Sequence, residues 1–223
     1  MIKKEMNMKK LILSIAVLAF SVSAFAQGQP MGFGIKAGVN FPKYNFSGGN
    51  NSVETDASTN FHITAFLDAP IFTDYLYVQP GISLQGKGAK GSGLVDAIDE
   101  MDPVLEDITQ NTMWLEIPVN LVAKVPTGPV GHLFVGAGPY VGFGLSGKTK
   151  YDGEEIGDFE FGSDNDQKGT DFGLNFIGGY QFTNGLMIHG GYGLGLTDIA
   201  PDGMGGDTKQ TNRVWTVGLG FAL

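Results

Sequence analysis

The chain has 223 residues, a net charge of −9, 35 Gly and no Cys, with 42% hydrophobic and 17% charged residues. That length fits one domain, and the missing thiols exclude disulfides, thiol catalysis and zinc–thiolate sites. Gly follows no three-residue period, which excludes collagen, and the aromatic content argues against a disordered chain.

Lys9 and Lys10 precede the apolar run Leu11–Phe20, and Ala24-Phe25-Ala26 forms a small-x-small site before Gln27. This is the pattern of a secretory signal peptide over residues 1–26, leaving 27–223 as the mature domain. The apolar run is well short of the roughly 20 residues of a spanning helix, and no Cys follows the site to take a lipid. Met8 heads a compact signal by itself, so translation starts at Met1 or Met8. Residues 1–26 hold four Lys and one Glu, a net of +3, so the remainder carries about −12 against −9 for the whole. Such overall acidity argues against nucleic acid or anionic lipid headgroups as partners.

From residue 32 the chain alternates with period two. In Gly32–Phe41, Phe33, Ile35, Ala37, Val39 and Phe41 oppose Gly32, Gly34, Lys36, Gly38 and Asn40. Phe61–Asp68 sets Phe61, Ile63, Ala65 and Leu67 against His62, Thr64, Phe66 and Asp68. The third segment sets Leu76, Val78, Ile82 and Leu84 against Tyr77, Gln79, Ser83 and Gln85. In Met113–Val125 the apolar side faces Trp114, Glu116, Asn120 and Lys124. The fifth opposes Leu133, Val135, Ala137, Val141 and Phe143 to His132, Gly136, Gly138 and Tyr140. Phe172, Leu174, Phe176 and Tyr180 oppose Asp171, Gly173 and Asn175; Leu186, Ile188, Tyr192 and Leu194 oppose His189, Gly191 and Gly193. The last sets Trp215, Val217, Leu219, Phe221 and Leu223 against Thr216, Gly218 and Gly220.

The connections alternate in length. Pro42–Asn60, Lys87–Asn111, Gly147–Lys168 and Asp198–Thr211 are long, while Pro70–Asp74, Pro126–Gly131 and Thr183–Gly185 are short. Long extracellular loops and tight periplasmic turns characterise an up-and-down barrel of the bacterial outer membrane. The expected fold is all-β: an eight-stranded antiparallel transmembrane β-barrel with both ends in the periplasm. Eight strands enclose an interior only wide enough for side chains. The bulky side would overfill it, so that side faces lipid and the glycine-rich side faces the lumen.

The C-terminal stretch Thr216–Leu223, with Gly218, Phe221 and Leu223 as its key positions, resembles the terminal signal by which outer-membrane barrels are recognised for insertion. Further segments carry a broader likeness: Phe61–Ala69, Gln79-Pro80-Gly81, Leu115-Glu116-Ile117-Pro118, Gly136-Ala137-Gly138-Pro139-Tyr140 and Tyr192-Gly193-Leu194-Gly195-Leu196-Thr197. In order and spacing these resemble the small outer-membrane β-barrel domain family, often labelled porin family and akin to OmpX and OmpA. The resemblance implies outer-membrane residence, insertion by the barrel-assembly machinery and a non-enzymatic role. The family often has a Glu where Gly81 stands and an Arg where Gly191 stands, so a buried ion pair is missing from both sides at once.

Lys36, Glu116, Lys124 and Asp171 all project inward by parity and need partners. They form the expected lumenal polar network, with Lys36 paired to Glu116 or Asp171, unless they line a polar path for ions. Phe66, Tyr77, Trp114, Phe134 and Tyr140 are expected to fill the lumen beside the glycines. His62, His132 and His189 also point inward, but His62 and His132 fall at opposite ends, so the three do not meet. No Ser/His/acid set converges; no catalytic residue, metal site or cofactor is expected. Acidic connections (Asp96, Asp99, Glu100, Asp102, Glu106 and Asp107; Asp152, Glu154, Glu155, Asp158, Glu160, Asp164 and Asp166) carry the surface charge. Gly157–Phe161 is expected to extend a strand above the membrane. Asp164-x-Asp166 before Gly169 fits a calcium loop poorly, because Lys168 stands where an oxygen ligand belongs. The expected partners are outer-membrane lipid and lipopolysaccharide, the latter through bridging divalent cations, with the protein a monomer. The expected role is structural or surface-interacting through these loops, with a narrow pore as the alternative and a lipid-modifying enzyme third.

Overall fold

The computed structural model describes residues 31–48, 51–71, 73–91, 108–162, 166–202 and 208–223. The expected signal peptide and the acids from Asp96 to Asp107 lie outside them. The strands are β1 (Gly32–Gly48), β2 (Asn51–Glu54), β3 (Asn60–Ile71), β4 (Thr73–Lys90), β5 (Ile108–Pro126), β6 (Gly131–Tyr151), β7 (Glu154–Phe159), β8 (Thr170–Phe182), β9 (Leu186–Gly195) and β10 (Lys209–Ala222).

Among the described residues, eight long strands form the staves, in the ring order β1-β3-β4-β5-β6-β8-β9-β10. Every neighbouring pair is antiparallel, and β10 returns to β1 from Gly34↔Ala222 through Ser47↔Lys209. That last ladder closes the sheet, so the staves leave no free edge along the barrel. The short strands β2 and β7 pair with the far ends of β1 and β6. They stand outside the ring.

The alternation in sequence becomes alternation in space. Along β5, Trp114, Glu116, Asn120, Val122 and Lys124 are buried, while Leu121 and Val125 are exposed. On β10, Trp215, Val217, Leu219 and Phe221 face outward, each about half exposed. The bulky apolar side is therefore the outside of the barrel. Aromatic residues ring it at two levels, with Phe41, Phe61 and Trp215 toward the long connections and Phe33, Tyr75 and Phe221 toward the short turns.

Several strands run beyond the stretch that apolar alternation marks out. β1 continues through Pro42 to Gly48, β4 reaches Lys90, β5 begins at Ile108, β6 reaches Tyr151 and β10 begins at Lys209. The four long connections are correspondingly shorter than their expected bounds. Backbone groups pair wherever a neighbouring strand is available, so the ladder persists after the lipid-facing residues stop. Gly88 shows how the upper wall is built: its φ is +132°, and a Cβ there would lie 1.9 Å from the Gln110 carbonyl oxygen. Only glycine lets β4 approach β5 so closely. The expected extension at Gly157–Phe161 is shifted: β7 spans Glu154–Phe159.

Candidate functional site

The inward side chains of β5 give the lumen's axial order, from the long-connection end to the short-turn end: Trp114, Glu116, Asn120, Val122 and Lys124. Each stands at a different level.

At the top, Tyr44, Ala89 and Ile199 form an apolar cluster joined by Phe46. Ile199 belongs to the fourth long connection. It is held there because Asp198 Oδ1 accepts from the amides of Ala200 (3.1 Å) and Gln210 (3.0 Å), while Lys168 N donates to the Ile199 carbonyl (2.9 Å). Beside it, Phe161 from the third connection packs edge-on against Trp114 at 5.0 Å. The mouth is thus covered by residues the sequence assigns to loops.

Below lies an ion cluster. Lys87 Nζ is 2.6 Å from Glu116 Oε1 and 2.8 Å from Asp171 Oδ2. The same Asp171 oxygen accepts from Tyr140 Oη (3.0 Å) and Asn212 Nδ2 (2.8 Å). Lys87 also lies over the rings of Trp114 and Tyr140. Two carboxylates share one ammonium, and added hydrogen bonds are what make such burial tolerable.

Lys36 was expected to be that cation, and it is not. Its ammonium rests over the Phe66 ring, 4.4 Å from the centroid. The reason is one of level: Lys36 pairs in register with Thr64 on β3, toward the short turns, whereas Lys87 stands opposite Thr112 near the top of β5. Lys87 had been assigned to a loop. Continuing the parity of Ser83 and Gln85 by one step would have placed it inward.

Between these levels lies a cavity of about 70 Å³ with Lys36, His62, Asn120, His189 and Gly191 in its wall, room for a few waters. Gly191 is part of that space. His62 and His189 meet edge-to-face at 5.4 Å, a convergence that the sequence did not reveal; His132 pairs with Gln181 near the short turns. Asn40 Nδ2 donates to Gln85 Oε1 (2.8 Å) and the Gly86 carbonyl (3.0 Å), so its Oδ1 accepts from His62 Nδ1 at 2.7 Å. Among the described residues, no three His, Cys, Asp or Glu side chains gather as a metal set.

A second apolar layer follows, made of Phe66, Val122, Phe134, Met187 and Ala222. Beneath it Lys124 pairs with Asp68. Gln79 Nε2 donates to Asp68 Oδ1 (3.0 Å), and Lys124 also donates to Gln181 Oε1 (3.0 Å). Asp68 had the right parity to be recognised as this partner.

Outside the lumen, the β6–β7 hairpin rises past the apolar band with Glu154, Glu155, Asp158 and the following Glu160 exposed. Lys148 donates to both carboxylate oxygens of Glu155 at 2.8 and 2.7 Å. That hydrogen bonding holds the Glu155 carboxyl below its ordinary range and the Lys148 ammonium above its own. Asp166 Oδ2 accepts from the Glu160 amide (2.8 Å), and Lys168 pairs with Asp202 (3.1 Å). At the C-terminus, Phe221 and Leu223 face outward while Gly218 faces the lumen, opposite Gly38 on β1.

A closed antiparallel barrel with an apolar exterior and a polar, filled interior defines an integral membrane β-barrel. The chain belongs to the outer membrane protein beta-barrel domain family, whose model matches residues 12–222; it is an integral protein of the bacterial outer membrane. No curated protein matches it. Among solved structures, Ail, the attachment invasion locus protein of Yersinia pestis, is 12% identical, with 87% of this chain and 100% of that one covered and a TM-score of 0.43. Neisserial surface protein A is 12% identical, with coverages of 87% and 99% and a TM-score of 0.43. OprG from Pseudomonas aeruginosa is 14% identical, with coverages of 86% and 95% and a TM-score of 0.44.

Proposed function

We propose that this outer-membrane barrel is a non-enzymatic structural and surface-interaction protein whose acidic loops carry its contacts. The observation that supports this most is the blocked lumen: two apolar layers and two ion-pair layers alternate along it. Meanwhile β4, β5, β6 and β7 rise beyond the apolar band, and among the described residues β7 pairs only with β6. Its other edge, without a strand partner among the described residues and flanked by carboxylates, is a surface suited to an extended, basic polypeptide segment.

Export by cleavage before Gln27, insertion by the barrel-assembly machinery and a monomeric state belong to the same reading. N-terminal sequencing of outer-membrane material returns a start near Gln27; Met1 or Met8 contradicts export by cleavage. For the surface role, cells displaying the full chain are incubated with a labelled lysine-rich peptide. Replacing Glu154, Glu155, Asp158 and Glu160 by their amides lowers its binding. Unchanged binding means that the hairpin carries no surface contact.

The narrow-pore reading keeps one supporting observation, the cavity beside Gly191. Lys87, Glu116 and Tyr140 form part of its wall, and the Phe66 layer lies nearer the short turns.

A further inference from the structure

The apolar exterior is indented at one place. β8 and β9 pair Gly178 with Gly190, between Phe176↔Tyr192 on one side and Tyr180↔Ile188 on the other. Both glycines face outward. A Cβ added to Gly178 would come no nearer than 3.5 Å to the Phe134 carbonyl oxygen, and one on Gly190 no nearer than 3.5 Å to that of Thr216. Those are ordinary contacts. Their lumenal neighbours differ, since a Cβ on Gly179 would lie 2.1 Å from the Ile188 carbonyl oxygen. Barrel closure therefore demands glycine at 179 and not at 178 or 190. Glycine inside a strand weakens it, and its presence often marks the close approach of another molecule. Gly178 and Gly190 together line an open apolar groove bordered by Phe176, Tyr192, Trp215 and Val217, and from Gly190 the hollow continues past Val39, Leu133, Ile188 and Leu219.

The same face carries cations directly above the groove. The Tyr192 and Trp215 rings meet beside it at 4.7 Å, tilted by 47°. Two residues further along β10, Arg213 stands in register with Lys43, and Lys209 with Ser47. Arg213 Nη1 donates to the carbonyls of Gly195 (2.8 Å) and Asn212 (2.9 Å). That fixes the guanidinium and leaves its remaining donors for a ligand. Among the described residues no carboxylate forms an ion pair with Arg213 or Lys209; Lys43 pairs with Glu54 at the surface, a contact of small worth in water. In a chain of net charge −9, this basic cluster lies just beyond the aromatic ring that marks the bilayer boundary.

We infer that this face seats one anionic membrane lipid, its phosphomonoester headgroup on Arg213, Lys43 and Lys209 and an acyl chain along the Gly178–Gly190 groove. The inference rests on insertion in the outer membrane and is independent of what the loops bind. A phosphate gains charge-assisted hydrogen bonds from the fixed guanidinium, and the groove supplies the apolar contact that free phosphate lacks.

The test uses the full chain in nanodiscs of zwitterionic phospholipid containing a minor fraction of phosphatidic acid, read by native mass spectrometry. One phosphatidic acid per barrel remains bound. Arg213→Gln with Lys43→Gln lowers its retention about tenfold, the loss expected of charged hydrogen bonds. Gly190→Leu also lowers retention while leaving the cations in place; if that variant does not fold, Gly178→Ala, whose methyl meets only ordinary contacts, is measured instead. Diacylglycerol is not retained, and inorganic phosphate neither binds nor competes at equal concentration. Equal retention in wild type and variants overturns the inference, as does retention of diacylglycerol or full competition by phosphate. A folded chain that fails to enter the bilayer contradicts the membrane placement itself.

Discussion

Lys87 and Asp171 form a salt bridge of 2.8 Å across the lumen, tying β4 to β8. Neither strand touches the other in the ring. The contact therefore braces the barrel internally, and Glu116 on β5 shares the same ammonium.

Removing that ammonium leaves two carboxylates buried together. Lys87→Met destabilises the barrel by about 3–5 kcal/mol, the cost of stranding one side of a buried pair. Lys36→Met, which breaks no carboxylate pair, costs less or is neutral. Urea unfolding in detergent, followed by the heat-dependent gel shift, measures both; equal losses contradict the assignment of the two lysines.

The outward parity of the staves predicts a second contrast. Val119→Arg or Leu174→Arg places a charge on the lipid face and costs about 2–4 kcal/mol near the bilayer midplane. Asn120→Arg projects into the lumen and costs less. Equal penalties in bilayer unfolding titrations mean that the apolar face does not meet lipid.

The period-two pattern reveals the staves and their facing because lipid imposes it residue by residue. Above the bilayer that pressure ends, so Lys87 and Lys148 read as loop residues although both lie in strands. Chain order also hides distance across the ring. Glu116 and Asp171 were legible as inward-facing acids, yet their shared partner depends on which strands face each other at one level. The meeting of His62 with His189 depends on the barrel's register, and Ile199 in the mouth on the path of a connection that carries no periodic signal.

Replacing Asp96–Asp107 by a short Gly/Ser connection leaves folding intact. Shortening a loop changes closure entropy only slowly with length, and the staves β4 and β5 already pair up to Lys90↔Thr109. The check is the heat-dependent gel shift of the variant in outer-membrane fractions. Loss of assembly makes that segment part of the barrel.

On the proposed function, the filled lumen leaves the protein to work at its surface rather than as a passage. Single-channel recording of the purified full chain in planar bilayers tests this most directly. A filled lumen gives no stable open level at moderate voltage. A steady current in the wild type that Gly193→Phe abolishes, by filling the cavity wall at a position where a Cβ meets nothing nearer than 3.4 Å, contradicts it and makes the barrel a narrow pore.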